Sequence, residues 1–135
     1  MARDLNNELV RIHFQLFRTI KNELQNTSNL SLQQMYTLVF LKEKKVATVG
    51  EIAKNLNISI PTTTTLLDRL SQLKLASRKN DKKDRRVKRV ALTKAGLKLL
   101  EKAIKERRRI IKRRLTKLSN PDKQVLLRIM KKLID

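Results

Sequence analysis

TVGEIAKNLNISIPTTTTLLDRLSQLKLASRKNDKKDRRVKRVALTKAG, residues Thr48 to Gly96, is the stretch that decides the fold. Thr48 followed by Glu51 has capping-box spacing, in which each side chain takes up an N–H left unsatisfied at a helix start. Ile52, Ala53 and Leu56 give that helix an apolar face. A tight turn at Asn57-Ile58 leads to Ser59, a good N-cap for a second helix running through Leu70. Two short helices joined in this way make a helix-turn-helix, the second helix of which is built to enter a DNA major groove. Arg78 to Arg86 then forms a charged loop between two short strand-like runs, which is the layout of a wing. Thr93 opens a further helix.

The chain resembles the MarR-type winged helix-turn-helix regulators. The resemblance rests on Val49-Gly50-Glu51-Ile52-Ala53, on Thr64 to Leu70 with the triplet Asp68-Arg69-Leu70, and above all on Asp84-Arg85-Arg86 followed by Leu92-Thr93-Lys94-Ala95-Gly96. It extends over nearly the whole length, because Leu32 to Leu41 reads like the helix that precedes the motif in that family. One position departs from the pattern. Lys74 stands where the family usually has glycine, the residue that takes a left-handed helix end without strain.

Length and composition narrow the classes. A chain of 135 residues with two Gly and two Pro supports one domain of mostly helical structure. Thirty-three Lys and Arg against twelve Asp and Glu give a formal charge of +21, an excess that repels itself unless a polyanion is the partner. A basic chain also suits an anionic membrane. Yet no run reaches the length of a spanning helix, and Met1 to Glu8 carries no signal-peptide core, so the expected compartment is the cytoplasm. Without cysteine there is no thiolate nucleophile and no thiol-based sensing. No nucleophile–base pair, paired carboxylates, metal cluster or phosphate loop is visible, so neither catalysis nor a cofactor is expected.

Outside the motif, the pattern predicts a mainly α fold with a small β-hairpin wing and flanking dimerisation helices. Leu5, Leu9, Ile12, Leu16, Phe17, Ile20 and Leu24 recur at helical steps over residues 4 to 25. Gln25 to Asn29 reads as a loop, and Ser31 caps a helix whose Met35, Tyr36, Leu38, Val39, Phe40 and Leu41 make it apolar nearly all round, hence a buried centre. After Thr93, a stripe runs from Leu97 through Leu100, Ala103, Ile104, Ile110, Ile111 and Leu115 to Leu118. Ser119 to Asp122 breaks it, with Pro121 suited to the first turn of a last helix. The DNA-binding lobe then spans about 32–92, and residues 4–25 and 93–135 supply dimerisation helices. Their stripes need a partner, and a second copy of the chain is the simplest one. The resemblance implies the same, with first, fifth and sixth helices interlocked about a two-fold axis.

Placing Leu66, Leu67 and Leu70 inward puts Pro61, Thr64, Thr65, Asp68 and Gln72 on the outer side of the second motif helix, with Thr62 and Arg69 at its flank. No Arg, Asn or Gln between Ser59 and Leu67 can make a bidentate base contact; threonine suits phosphates and thymine methyls, so direct readout is expected to be weak. Eight of the twelve residues from Arg78 to Arg89 are basic. Arg78 and Lys79 open this charged run and are expected to contact DNA with it. The resemblance places Arg85 or Arg86 near the minor groove, with Lys82, Lys83 and Lys88 along the backbone. Asp68 or Asp84 is expected to pair with Arg86 and so aim the wing. A lone His13 cannot build a zinc site. With Phe17, Met35 and Tyr36 it is, by resemblance, a candidate lining for a small aromatic anion that releases DNA, though all four also suit a core. The basic block Arg107 to Arg114 reads either as a solvated helix face or as an additional nucleic-acid contact. Two functions compete: a dimeric repressor on a pseudo-palindromic double-stranded DNA site, and an architectural protein that coats DNA with little sequence preference.

Overall fold

Each helix of the chain starts or stops where the local chemistry requires it. The computed structural model describes residues 4–25 and 29–135, so most of the loop expected at Gln25 to Asn29 lies outside the described residues. The elements run α1 (Leu5–Gln25), α2 (Leu32–Lys44), β1 (Val46–Thr48), α3 (Val49–Leu56), α4 (Ile60–Gln72), β2 (Ala76–Asn80), β3 (Lys88–Leu92), α5 (Lys94–Leu115) and α6 (Asn120–Ile134). The chain divides into two units. One comprises Ser28–Ile104; the other joins Met1–Thr27 to Lys105–Asp135.

In the first unit, α2 begins with a complete capping box. Ser31 Oγ accepts from the Gln34 N–H and the Gln34 side chain accepts from the Ser31 N–H. At Thr48 only half of the expected box forms. Thr48 Oγ1 accepts from the Glu51 N–H at 3.2 Å, but the Glu51 carboxylate turns to Lys44, 3.3 Å away. The reason is that Thr48 also ends a strand. β1 pairs antiparallel with β3, Thr48 opposite Arg89, which adds a third strand to the two foreseen and gives the order β1-β3-β2. Strand β2 lies on the other side of β3, Ala76 opposite Leu92 and Asn80 opposite Lys88.

The core of this unit is Leu38, Leu41, Ala47, Ile52, Leu67, Leu70, Leu75, Ala76, Val90 and Leu100. α2 is less central than its composition predicts. Leu38 and Leu41 are fully buried, Met35, Val39 and Phe40 only partly, and Tyr36 is half exposed. An apolar side chain on every face cannot be buried when only one face meets the sheet and its helices.

Two turns fix α4 against the sheet. Its start is capped by Ser59 Oγ, which accepts from the Thr62 N–H, and Pro61 sits in the first turn. Its end is a Schellman turn: the Lys74 N–H donates to Ser71 O and the Leu75 N–H to Leu70 O, both at 2.9 Å. Lys74 takes φ 60°, so it does adopt the left-handed conformation that glycine usually fills, at a cost of roughly 1 kcal/mol. Its carbonyl is used in turn by Thr93, whose hydroxyl donates to Lys74 O at 2.7 Å and accepts from the Gly96 N–H at 2.9 Å. Gly96 is required by close approach: a Cβ there would lie 2.1 Å from Leu75 O. The sequence Thr93-Lys94-Ala95-Gly96 therefore welds the start of α5 to the turn between α4 and β2.

The second unit is built differently. α1 and α6 contain no buried residue, whereas Ile110 on α5 is buried. Glu23 on α1 accepts from Arg113 at 3.1 Å and from Arg114, tying α1 to α5. Burial of that carboxylate works against its charge, but the two guanidinium donors outweigh it and hold Glu23 below the usual carboxylate range. α5 ends at Leu115, so Leu118 falls in the turn before α6, which Ser119 caps by accepting from the Asp122 N–H.

Candidate nucleic-acid interface

Helix α4 presents its N-terminal half as a row of small polar groups. Thr62, Thr64 and Thr65 are exposed, as are Ser59 and Pro61, while Thr63 is fully buried. The hydroxyls are not equivalent. Thr63 Oγ1 donates to Ser59 O, Thr65 Oγ1 donates to Pro61 O, and Thr62 Oγ1 accepts from Ser59 Oγ. Thr64 makes no side-chain hydrogen bond among the described residues, which leaves its hydroxyl unspent for an outside partner. Arg69 is exposed on the same helix.

The wing is the loop between β2 and β3, and its aspartates organise it. The Asp81 N–H donates to Val87 O at 2.8 Å, closing the loop, and Val87 N–H donates to Asp84 O. Asp81 also accepts from the Lys83 N–H and from Arg89 Nη2, 3.1 Å each. The Lys83 backbone bond, aided by Arg89 and opposed by burial, holds the Asp81 carboxyl below its ordinary range. Asp84 Oδ1 accepts from the Arg86 N–H at 3.0 Å and from Arg86 Nε at 3.3 Å. Lys82, Lys83, Arg85, Arg86 and Lys88 are exposed around this frame, the Arg86 side chain by 93%.

The acid on α4 does something else. Asp68 does not meet Arg86; it pairs with Arg78 of β2, whose Nη2 also lies 3.5 Å from Thr64 O. Arg78 is only 23% exposed and its Nε is buried without a partner, so this arginine joins the wing stem to α4 and is not free to reach outward. The expectation that Asp68 or Asp84 serves Arg86 thus holds for Asp84 alone. Sequence spacing could not separate the two acids, because Arg78 is ten residues from Asp68 and meets it only through the β2 register. Asp81 was missed altogether. Its signal was present: an Asp within a cationic loop whose side chain can accept from the backbone two residues on. Lys79 is exposed at the stem, as the sequence implied.

The four candidate effector residues fall in different units. His13 and Phe17 lie exposed on α1, His13 stacking edge-on with Phe14 at 5.7 Å; Met35 and Tyr36 lie on α2. Among the described residues no group of His, Cys, Asp and Glu could hold a metal ion, and no helix is long and apolar enough to cross a membrane.

Comparison with known proteins agrees with this geometry. A sequence model described as the MarR family matches residues 30–88. The chain is 30% identical over 90 residues to the uncharacterized HTH-type transcriptional regulator YsmB of Bacillus subtilis (strain 168); the match covers 67% of this chain and 62% of that one. The chain therefore spans less than two thirds of that relative's length. Among solved structures, the YusO protein from Bacillus subtilis superposes with a TM-score of 0.83 at 28% identity, covering 99% of this chain and 98% of that one. A MepR mutant from S. aureus, solved bound to an oligodeoxyribonucleotide, superposes with a TM-score of 0.64 at 27% identity, covering 90% of this chain and 95% of that one.

Proposed function

The chain belongs to the MarR family of winged helix-turn-helix proteins, and on that premise we propose that it is a DNA-binding transcriptional regulator, a dimeric repressor of a pseudo-palindromic promoter site. The observation that carries this reading is the pairing of two presented surfaces in one unit. Thr64 offers an unspent hydroxyl and a methyl on the exposed side of α4, and the aspartate-framed wing holds Arg85 and Arg86 outward. Thr62, Thr65, Ser59, Pro61 and Arg69 border the first surface, and Lys79, Lys82, Lys83 and Lys88 the second. In this mechanism the threonines contact phosphates and thymine methyls in the major groove. Arg85 and Arg86 enter an adjoining narrow minor groove, where A·T-rich sequence concentrates negative potential. Arg78 and Asp68 keep the two contacts in register, and the MepR mutant bound to an oligodeoxyribonucleotide is consistent with a DNA partner.

The dimer is supported by the apolar side chains that α1 and α6 leave exposed, among them Leu9, Phe14, Ile129 and Leu133. A two-fold arrangement would set two copies of α4 in successive major grooves, about 34 Å apart. Release by a small aromatic anion rests on the family alone. Its test is weaker binding to operator DNA in the presence of salicylate, abolished by Tyr36→Ala.

The competing reading, a low-specificity architectural protein, is favoured by the +21 charge and the threonine-only reading helix. Competition against genomic DNA at physiological salt separates the two. A regulator neutralising on the order of ten phosphates would show a log–log salt slope near −9, with a preference of roughly a hundred- to a thousandfold for its own promoter. A preference within about threefold of unity would replace the regulator with a DNA-coating protein.

A further inference from the structure

Beyond the winged unit, the most charged element is the C-terminal part of α5. Eight of the thirteen residues from Lys105 to Lys117 are Lys or Arg, against one acid, Glu106. The acids within reach pair with three of these eight cations. Glu106 takes Arg109 at 3.2 Å, and Glu23 takes Arg113 and Arg114. Lys105, Arg108 and Lys112 remain exposed and form no ion pair among the described residues. At 100° per residue these three project within about 60° of one another, on the side of the helix away from the buried Ile110. Glu101 and Lys98 lie along the same side toward the helix start and offset each other, which confines the excess to the stretch from Lys105 to Lys112. Like charges three and four residues apart weaken a helix, so such a stripe opposes the stability of its own element.

We propose that Lys105, Arg108 and Lys112 form a second binding surface for the DNA backbone, separate from the contacts of α4 and the wing. The inference rests on the DNA-binding reading above. Three features select this partner. The stripe spans eight residues, Lys105 to Lys112, and so about 10 Å at 1.5 Å per residue step. One strand of a duplex presents a phosphate per 3.4 Å or so of axis, so three cations match about three phosphates. The stripe contains no exposed apolar side chain, since none of the exposed large hydrophobics lies on α5, so it lacks the aromatic or aliphatic anchor that centres a protein interface. For the same reason it is not a membrane helix: the apolar side of α5 carries Leu100, Ala103 and Ile110, all buried, and nothing is left to insert among lipids. The phosphates are supplied either by the flank of the duplex held by α4 or by a second duplex.

The test compares the full chain with Lys105→Gln/Arg108→Gln/Lys112→Gln. Two probes share one centre, a 24-bp and an 80-bp duplex of about those lengths, chosen so that only the longer has free flanks. A control variant, Lys123→Gln/Arg128→Gln/Lys131→Gln, removes the same charge from α6. Removing three phosphate contacts should make the log–log salt slope shallower by about 2.7 per bound protomer. A change on the long duplex alone assigns the flank. Loss of the parent's capture of a second, labelled duplex by an immobilised one assigns bridging. Either result supports the proposal, provided the α6 variant keeps the parental slope and Lys105→Arg/Arg108→Lys/Lys112→Arg behaves as the parent. Circular dichroism should show unchanged helix content, because glutamine is a good helix former. An unchanged slope on both duplexes with no bridging overturns the proposal, and so does equal loss in the α6 variant, which reports net charge only. Transfer of the stripe's effect to anionic vesicles in place of DNA also overturns it. A parent that binds neither duplex overturns the DNA-binding reading itself, whereas a parent that binds while the variant matches it overturns this inference alone.

Discussion

The winged unit and the terminal-helix unit use the same few residue types to opposite ends. In the winged unit leucine, isoleucine and valine close on one another, and Leu38, Leu41, Ile52, Leu67, Leu70 and Val90 are entirely shielded from water. In the terminal-helix unit the same kinds of side chain stay wet: Leu5, Leu9, Phe14, Leu133 and Ile134 are more than half exposed. Hydrogen bonding follows the same division. Thr93, Lys74 and Gly96 lock the winged unit from within, while α1 is held to α5 through Glu23 and its two arginines. A unit whose apolar surface is already buried is specified by its own chain. One whose apolar surface is not buried is specified by what it meets.

The largest effect should come from striking the self-sufficient side. Gly96→Ala places a Cβ against Leu75 O and Leu92, and should destabilise the protein by about 3 kcal/mol, measured by denaturant unfolding. Gly50→Ala is the control, because a Cβ there meets nothing closer than 4.0 Å. Equal effects at both positions would mean that the Thr93 to Gly96 weld is not what closes the unit.

The other side should fail in assembly and not in folding. Leu9→Lys with Ile129→Lys should leave the winged unit intact by near-unchanged circular dichroism of its helices, yet weaken self-association by a hundredfold or more in sedimentation. That loss corresponds to about 2.7 kcal/mol. A parent protein that sediments as a monomer at micromolar concentration would remove the dimer and the palindrome together.

A smaller change should appear where α4 meets the wing. Asp68→Asn leaves Arg78 without its carboxylate, and should cost about 1 kcal/mol of stability while weakening DNA binding. The weakening should be larger on A·T-rich flanks, where the wing arginines act. If Asp68→Asn binds as well as the parent, Arg78 does not set the wing. Lys74→Gly works in the opposite direction: relief of the positive φ should stabilise the fold by about 0.5 kcal/mol, since glycine also gives the unfolded chain more freedom.

Acid should loosen both units modestly. Asp81 and Glu23 are held below their ordinary pKa, so each ionised carboxylate favours the folded chain at neutral pH. That contribution is complete above the unfolded-state value and is lost as the pH falls through the lower, folded-state value. Asp81→Asn and Glu23→Gln should therefore differ from the parent in thermal stability near neutrality and converge with it in strong acid. A gap that persists unchanged in acid would show that charge is not the cause.

What the sequence determined by itself was whatever depends on neighbours along the chain. Periodicity placed α1, α3, α4 and α6 close to their observed bounds, and Ser31, Ser59 and Thr93 were legible as caps because a cap satisfies an N–H two or three residues away. The cationic wing and the outward threonines were readable for the same reason. The tertiary structure decided what depends on register between segments. It made Thr48 a strand end as well as a cap and thereby diverted Glu51 to Lys44. It gave Asp68 to Arg78, and turned an expected DNA contact into a half-buried brace. It also spent three of the four threonine hydroxyls, leaving only that of Thr64 free of hydrogen bonds among the described residues. A hydrogen bond or an ion pair forms with whatever donor the fold brings within about 3 Å, and spacing along the chain cannot state that distance.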